Sequence, residues 1–212
     1  MSMSTVESVQ SVRPGHSLGT AVVKGLLPRS LLLWAKDIRN AYQVRRNAGR
    51  VMLVNEILPA YARLGGRILW IGCRRYTKGY GPLLERNGGT CWTTDIEAAH
   101  ANWGEAGRHF TWDLLQIDRL LAGESFDTVL CNGVFGFGVD TRESQLTALQ
   151  AMARILKPGG RLLLGWNTER VEDPTLLGVT ESGFAGDDLN GRGARCAVPE
   201  AGYVYAFLRR KG

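Results

Sequence analysis

From Arg67 onward the chain alternates short apolar runs with amphipathic stretches, and this alternation constrains the fold more than any other feature. Residues 68–72, 90–95, 108–112, 126–132 and 161–166 have the length and apolarity of buried strands, with helical patterns between most of them. Strands in that arrangement run parallel, because only crossover connections can join parallel neighbours, and the crossovers cover both faces of the sheet. Residues 194–198 and 203–208, separated by Pro199-Glu200-Ala201-Gly202, read as a closing hairpin. The expectation is an α/β, Rossmann-like three-layer sandwich: a mostly parallel seven-stranded sheet ending in a C-terminal antiparallel hairpin. Ligands of such sheets bind at the carboxyl ends of the strands. With 44% of 212 residues hydrophobic, one sizeable core is expected.

The N-terminal quarter differs. Residues 1–20 are polar and lack the basic start and apolar centre of a secretory signal, so a disordered tail is expected there. Residues 21–47 read as a basic amphipathic extension. Pro28 stands at a helix start, and Leu31, Leu32, Trp34, Ala35, Ile38, Ala41 and Tyr42 recur opposite Arg29, Lys36, Arg39 and Asn40. A second helical pattern runs from Val51 to Leu64 and stops at Gly65-Gly66. The main domain is expected over 48–212.

Residues 1–60 carry a net charge of +5, leaving only +1 for the rest. A basic segment of this kind suits an anionic membrane surface, with Trp34 at the interface, or a solvated helix face. The nearly neutral remainder has no extended basic stripe, which argues against nucleic acid as a partner. No apolar run approaches the ~20 residues that a membrane-spanning helix needs. Cys73, Cys91, Cys131 and Cys196 are scattered without a C-x-x-C pair, which points to a reducing, cytoplasmic setting and to no metal site.

Three phrases carry a family resemblance. Residues 153–164, Ala-Arg-Ile-Leu-Lys-Pro-Gly-Gly-Arg-Leu-Leu-Leu, end a helix in a Pro-Gly-Gly turn that feeds a buried strand. Residues 123–132, Gly-Glu-Ser-Phe-Asp-Thr-Val-Leu-Cys-Asn, enter the strand before it. Asp95 closes a strand 23 residues after Gly72. In this order, over about 48–210, they resemble the class I S-adenosylmethionine-dependent methyltransferases, of the type 11-like group. An acid in the position of Asp95 can accept both ribose hydroxyls of an adenosyl ligand, as in dinucleotide folds. The resemblance implies S-adenosylmethionine as cofactor and a site made of Gly72, Cys73, Arg74, Tyr76, Asp95, Ile96, Asp113, Leu114, Asn132 and Gly133. In it Asp113 lies near the adenine amino group, and Asn132 and Gly133 face cofactor and substrate.

The glycine loop departs from the family pattern of acidic-x-Gly-x-Gly-x-Gly. Here it reads Trp70-Ile71-Gly72-Cys73-Arg74-Arg75-Tyr76, so only the first glycine remains. Either Arg74 points away and a helix starting near Thr77 offers its amides to the methionine carboxylate, or Arg74, Arg75 and Lys78 recognise a more anionic ligand. A phosphate-binding Walker loop is excluded, because Thr77 stands at its second glycine and Gly79 follows Lys78.

Methyl transfer needs little beyond alignment of nucleophile and methyl carbon. Candidate bases are His100, His109, Asp140, Tyr76 and Tyr80, none placed well enough to assign as catalytic. Residues 132–135, Asn-Gly-Val-Phe, keep the spacing of the Asn-Pro-Pro-Tyr signature with which some members of that family grip a planar amino group, without its prolines or tyrosine, which argues against a base amino group as target. Residues 133–138 suit a substrate wall or a buried turn, and the Gly- and Asp-rich stretch 168–195 suits a lid. The expected function is methylation of a small-molecule hydroxyl or amine on a sugar, lipid-linked compound or secondary metabolite. The alternative is a non-catalytic or regulatory protein on the same fold.

Overall fold

A computed structural model describes residues 46–122 and 126–212. The basic extension over 21–47 and the tail before it lie outside the described residues, except for Arg46 and Asn47.

The first described segment is continuously helical: α1 (Ala48–Met52), a π turn (Leu53–Ile57) and α2 (Leu58–Ala62). Asn47 caps it by accepting a hydrogen bond from Gly49 N at 3.0 Å. The sheet follows, with β1 (Arg67–Ile71), β2 (Thr90–Asp95), β3 (His109–Thr111), β4 (Phe126–Asn132), β5 (Leu156–Asn167), β6 (Phe184–Gly186), β7 (Arg195–Val198) and β8 (Tyr203–Arg210). Helices α3 (Tyr80–Leu84), α4 (Ile117–Leu120) and α5 (Arg142–Ile155) and short 3-10 turns connect them.

The strand order is β3-β2-β1-β4-β5-β8-β6, with β7 also paired to β8. The first five strands are parallel, and β8 runs antiparallel to β5, β6 and β7. The sheet therefore has eight strands where seven were expected. The extra one arises because the outer edge beside β8 is split: β6 pairs with its second half and β7 with its first. The stretch expected to be irregular over 168–195 supplies β6, and it buries Val171, Val179, Phe184 and Leu189. These apolar residues tie that stretch to the core despite its Gly-rich composition.

Burial on both faces explains the near-continuous apolarity of the central strands. Along β1, Leu69 and Ile71 enter one core while Ile68 and Trp70 enter the other. The same alternation places Leu162 and Leu164 of β5 on the first face and Leu163 on the second. Helix α5 covers the first face with Ala148, Leu149, Met152 and Ile155, and Thr141 caps its start through Ser144 N at 3.1 Å. The α1–α2 segment covers the second face with Leu53, Ile57, Leu58 and Tyr61.

Candidate active site

At the carboxyl ends of β1, β2 and β4 lies a cavity of about 580 Å³. The chain leaves β1 through Gly72, whose φ of +88° favours glycine; an added Cβ would also sit 3.2 Å from Val134 Cγ2. Trp70, where the family pattern has an acid, is buried and donates its indole N–H to Gly72 O at 2.6 Å. The tryptophan thus holds the loop from beneath. Gly72, Arg74, Tyr76, Asp95, Ile96, Asp113, Leu114, Asn132 and Gly133 all line this cavity. Cys73 does not: its side chain is fully buried and directed into the second core. Burial, reinforced by Asp95, pushes the Cys73 thiol up to about 12, so it stays protonated at neutral pH.

Asp95, at the end of β2, is the most heavily bonded group of the site. Its Oδ2 accepts from Cys73 N and Arg74 Nη1, both at 2.7 Å, and its Oδ1 accepts from Glu97 N at 2.9 Å. His100 Nδ1 lies 2.9 Å from Oδ1. Although burial opposes ionisation, these donors together hold its pKa below the usual carboxylate value. A carboxylate offers about four lone-pair directions; three take these N–H donors, and the fourth faces His100 Nδ1, which also lies 2.7 Å from Arg74 Nη1.

The Arg74 side chain turns back over Asp95, 41% exposed, and also donates to Cys73 O at 2.7 Å. A single 3-10 turn spans Arg75–Thr77, and α3 begins at Tyr80 after Gly79 at φ +101°.

At one end of the cavity, Asp113 accepts from Leu115 N at 2.9 Å through Oδ1. Around it Ile96 (63% exposed), Trp112 (40% exposed) and Leu114 offer apolar surface. At the opposite end, Asn132 is buried and its Oδ1 accepts from the Tyr203 hydroxyl at 3.0 Å, while its Nδ2 has no partner among the described residues. This packing explains Gly165 on β5, where a Cβ would lie 2.2 Å from Asn132 Oδ1. Val134, Phe137, Gly138 and Val139 line one side, so residues 133–138 form a cavity wall.

Of the candidate bases, only Tyr76 lines this cavity; Tyr80 lines a neighbouring one. Burial lowers the pKa of His109, whose Nδ1 lies 3.0 Å from Thr93 Oγ1. Asp140 closes a turn by accepting from Gly138 N at 3.0 Å. Several lining residues carried no sequence signal: Arg50, Thr94, Asn167 and Tyr203. Arg50 lay between two helical patterns, and Tyr203 read only as a hairpin residue.

The order of the sheet, the cavity at its switch point and the acid closing β2 define a class I methyltransferase architecture. Residues 71–164 match the family model described as a methyltransferase domain. No curated protein matches the chain by sequence. Among solved structures it is similar to the N-methyltransferase NodS from Bradyrhizobium japonicum WM9 (18% identity, TM-score 0.57, covering 79% of this chain and 99% of that one). A TehB-like S-adenosylmethionine-dependent methyltransferase from Corynebacterium glutamicum is similar too (22% identity, TM-score 0.58, covering 84% and 99%). So is the 1,6-didemethyltoxoflavin-N1-methyltransferase of Burkholderia thailandensis, with bound 1,6-didemethyltoxoflavin and S-adenosylhomocysteine (20% identity, TM-score 0.51, covering 84% and 89%). The methyltransferase-domain match over residues 71–164 and these structural likenesses give the chain the fold of the S-adenosylmethionine-dependent methyltransferases. No helix among the described residues is long and apolar enough to cross a membrane.

Proposed function

We propose that the protein methylates a hydroxyl or amine of a small molecule, in the cytoplasm, within the 580 Å³ cavity. The observation that carries this reading is the paired placement of Asp95 and Asp113 beside one apolar shelf, with the orphaned Asn132 Nδ2 at the cavity's other end. When bound, S-adenosylmethionine supplies an electrophilic methyl carbon on its sulfonium.

The chain's own residues fit that group unevenly. Ile96, Trp112 and Leu114 cover a planar ring, and Asp113 keeps Oδ2 for an exocyclic amino group while Oδ1 binds Leu115 N. Asp95 serves the ribose only after Arg74 and His100 release it, because the other two donors are fixed backbone amides. Arg74, partly exposed, is free to swing outward. At the acceptor end, burial raises the Tyr203 pKa above its ordinary value, so its hydroxyl remains a donor. It orients Asn132, and Asn132 Nδ2 is left to position the acceptor. Alignment, with no base in contact, is the contribution expected of these residues. A cavity walled by Val134, Phe137 and Val139 suits a small molecule better than a polynucleotide backbone.

The test is incubation with methyl-labelled S-adenosylmethionine and a cell extract fractionated into small molecules and nucleic acids. Label is expected in the small-molecule fraction; label confined to nucleic acid would contradict the reading.

A further inference from the structure

Among the described residues, Arg50 on α1 is a cation without an anion. Its Nη1 is buried and has no hydrogen-bond partner among the described residues, and its Nη2 meets only the Tyr76 hydroxyl, at 3.5 Å. The guanidinium stacks over the Tyr76 ring, 4.7 Å from its centroid, and an ideal Cβ at Gly133 would lie 3.5 Å from Nη2. Burying an unpaired charge costs several kcal/mol, so such a group implies a partner that arrives from outside.

Its position says from where. Arg50 and Tyr76 form a wall common to the site cavity and to a second cavity of about 670 Å³. That second cavity is lined also by Lys78, Arg86, Tyr80 and Asn55, with no carboxylate among its described lining residues. Lys78 and Arg86 are exposed and form no ion pair among the described residues, so they stand as a basic rim before the buried guanidinium. The acids Asp95 and Asp113 belong to the site cavity alone.

We infer that Arg50 is a specificity residue for the methyl acceptor: the acceptor carries a carboxylate or a phosphate, which pairs with Arg50 and is drawn in past Lys78 and Arg86. A planar guanidinium with a free Nη1 grips either anion through parallel N–H···O bonds. The rest of the acceptor then reaches past Gly133 toward Asn132, placing its nucleophile in the site cavity. This assignment rests on the methyltransferase reading for the word acceptor, whereas the anion site itself does not.

The experiment is calorimetric titration of the full chain, saturated with S-adenosylhomocysteine, with inorganic phosphate and with acetate at low ionic strength. The expected result is millimolar binding, weakened at least tenfold in Arg50→Gln, partly kept in Arg50→Lys, and weakened about threefold in the exposed-rim variants Lys78→Ala and Arg86→Ala. Binding that is absent, or equal in wild type and Arg50→Gln, would overturn the site. The rim variants carry the test if Arg50→Gln does not fold, and their unchanged binding would then overturn it.

A second arm identifies the source of the anion, using S-adenosylhomocysteine and 5′-methylthioadenosine, which lacks the amino-acid carboxylate. Equal affinity of wild type and Arg50→Gln for both supports the acceptor. A tenfold loss for S-adenosylhomocysteine alone would give Arg50 to the cofactor and overturn the acceptor assignment. If wild type binds neither nucleoside, the methyltransferase reading fails, while phosphate titration of the unliganded protein still decides the anion site.

Discussion

The two ends of the site cavity are built on opposite principles. At the end of β2, Asp95 receives two backbone amides and an arginine and faces His100 Nδ1, so its acceptor positions are occupied by the chain itself. At the far end, Arg50 Nη1 and Asn132 Nδ2 are buried donors with no partner among the described residues. A satisfied polar network is rigid and contributes to stability, whereas unsatisfied donors cost free energy until a ligand arrives. A ligand reaching the Asp95 end therefore has to exchange partners with the chain, whereas one reaching the far end gains them.

Removing the centre of the filled end is expected to have the largest effect. Asp95→Ala leaves the Cys73 and Glu97 amides without their acceptor, costing about 1–3 kcal/mol for each buried amide left unsatisfied. Urea denaturation measures this loss, and an unchanged midpoint would break the contrast between the two ends.

Next in size is Gly165→Ala, whose Cβ would stand 2.2 Å from Asn132 Oδ1 and push Asn132 off the Tyr203 hydroxyl. Overpacking of this kind costs about 1–3 kcal/mol, and thermal denaturation checks it.

Acid titration sharpens the comparison. The pKa of Asp95 is depressed in the folded state, so its contribution is present above the unfolded value of about 4 and is lost as pH falls through the folded one. Stability measured from pH 6 to pH 2 is expected to fall less steeply in Asp95→Asn than in wild type. Parallel curves would contradict the sign.

The smallest effect is expected from Arg74→Ala, which frees one lone pair of Asp95 without touching the backbone donors. Because Arg74 is 41% exposed, its ion pair is worth no more than about 1 kcal/mol. Affinity for S-adenosylhomocysteine should rise on the order of fivefold. A fall would show that Arg74 serves the cofactor directly.

The sheet was legible because its signals are local and periodic: the apolar runs of β1, β2 and β4 recur in the structure near their expected limits, whereas β5 begins at Leu156, so the Pro-Gly-Gly phrase expected as a turn lies within the strand where its register against β4 shifts. The split edge of β6 and β7 was not, since β6 is three residues long and is fixed by pairing with the distant Leu208–Arg210. Within the site, strand-end acids stand out in a sequence because their position follows from the strand. Arg50 and Tyr203 do not, because what brings them to Gly133 is tertiary packing of α1 against β8, through Gly49 beside Tyr203 and the Tyr205 hydroxyl donating to Gly49 O at 2.8 Å. The orientation of Arg74 escaped for a related reason: a side chain chooses among partners that only the fold assembles.

The most direct test of the account is calorimetric titration of the full chain with S-adenosylhomocysteine, repeated on Asp95→Asn, which preserves side-chain shape. Micromolar binding to wild type, weakened at least tenfold in the variant, is the predicted result. No binding to wild type, or equal binding to both, would contradict the claim that this cavity takes an adenosyl cofactor through Asp95.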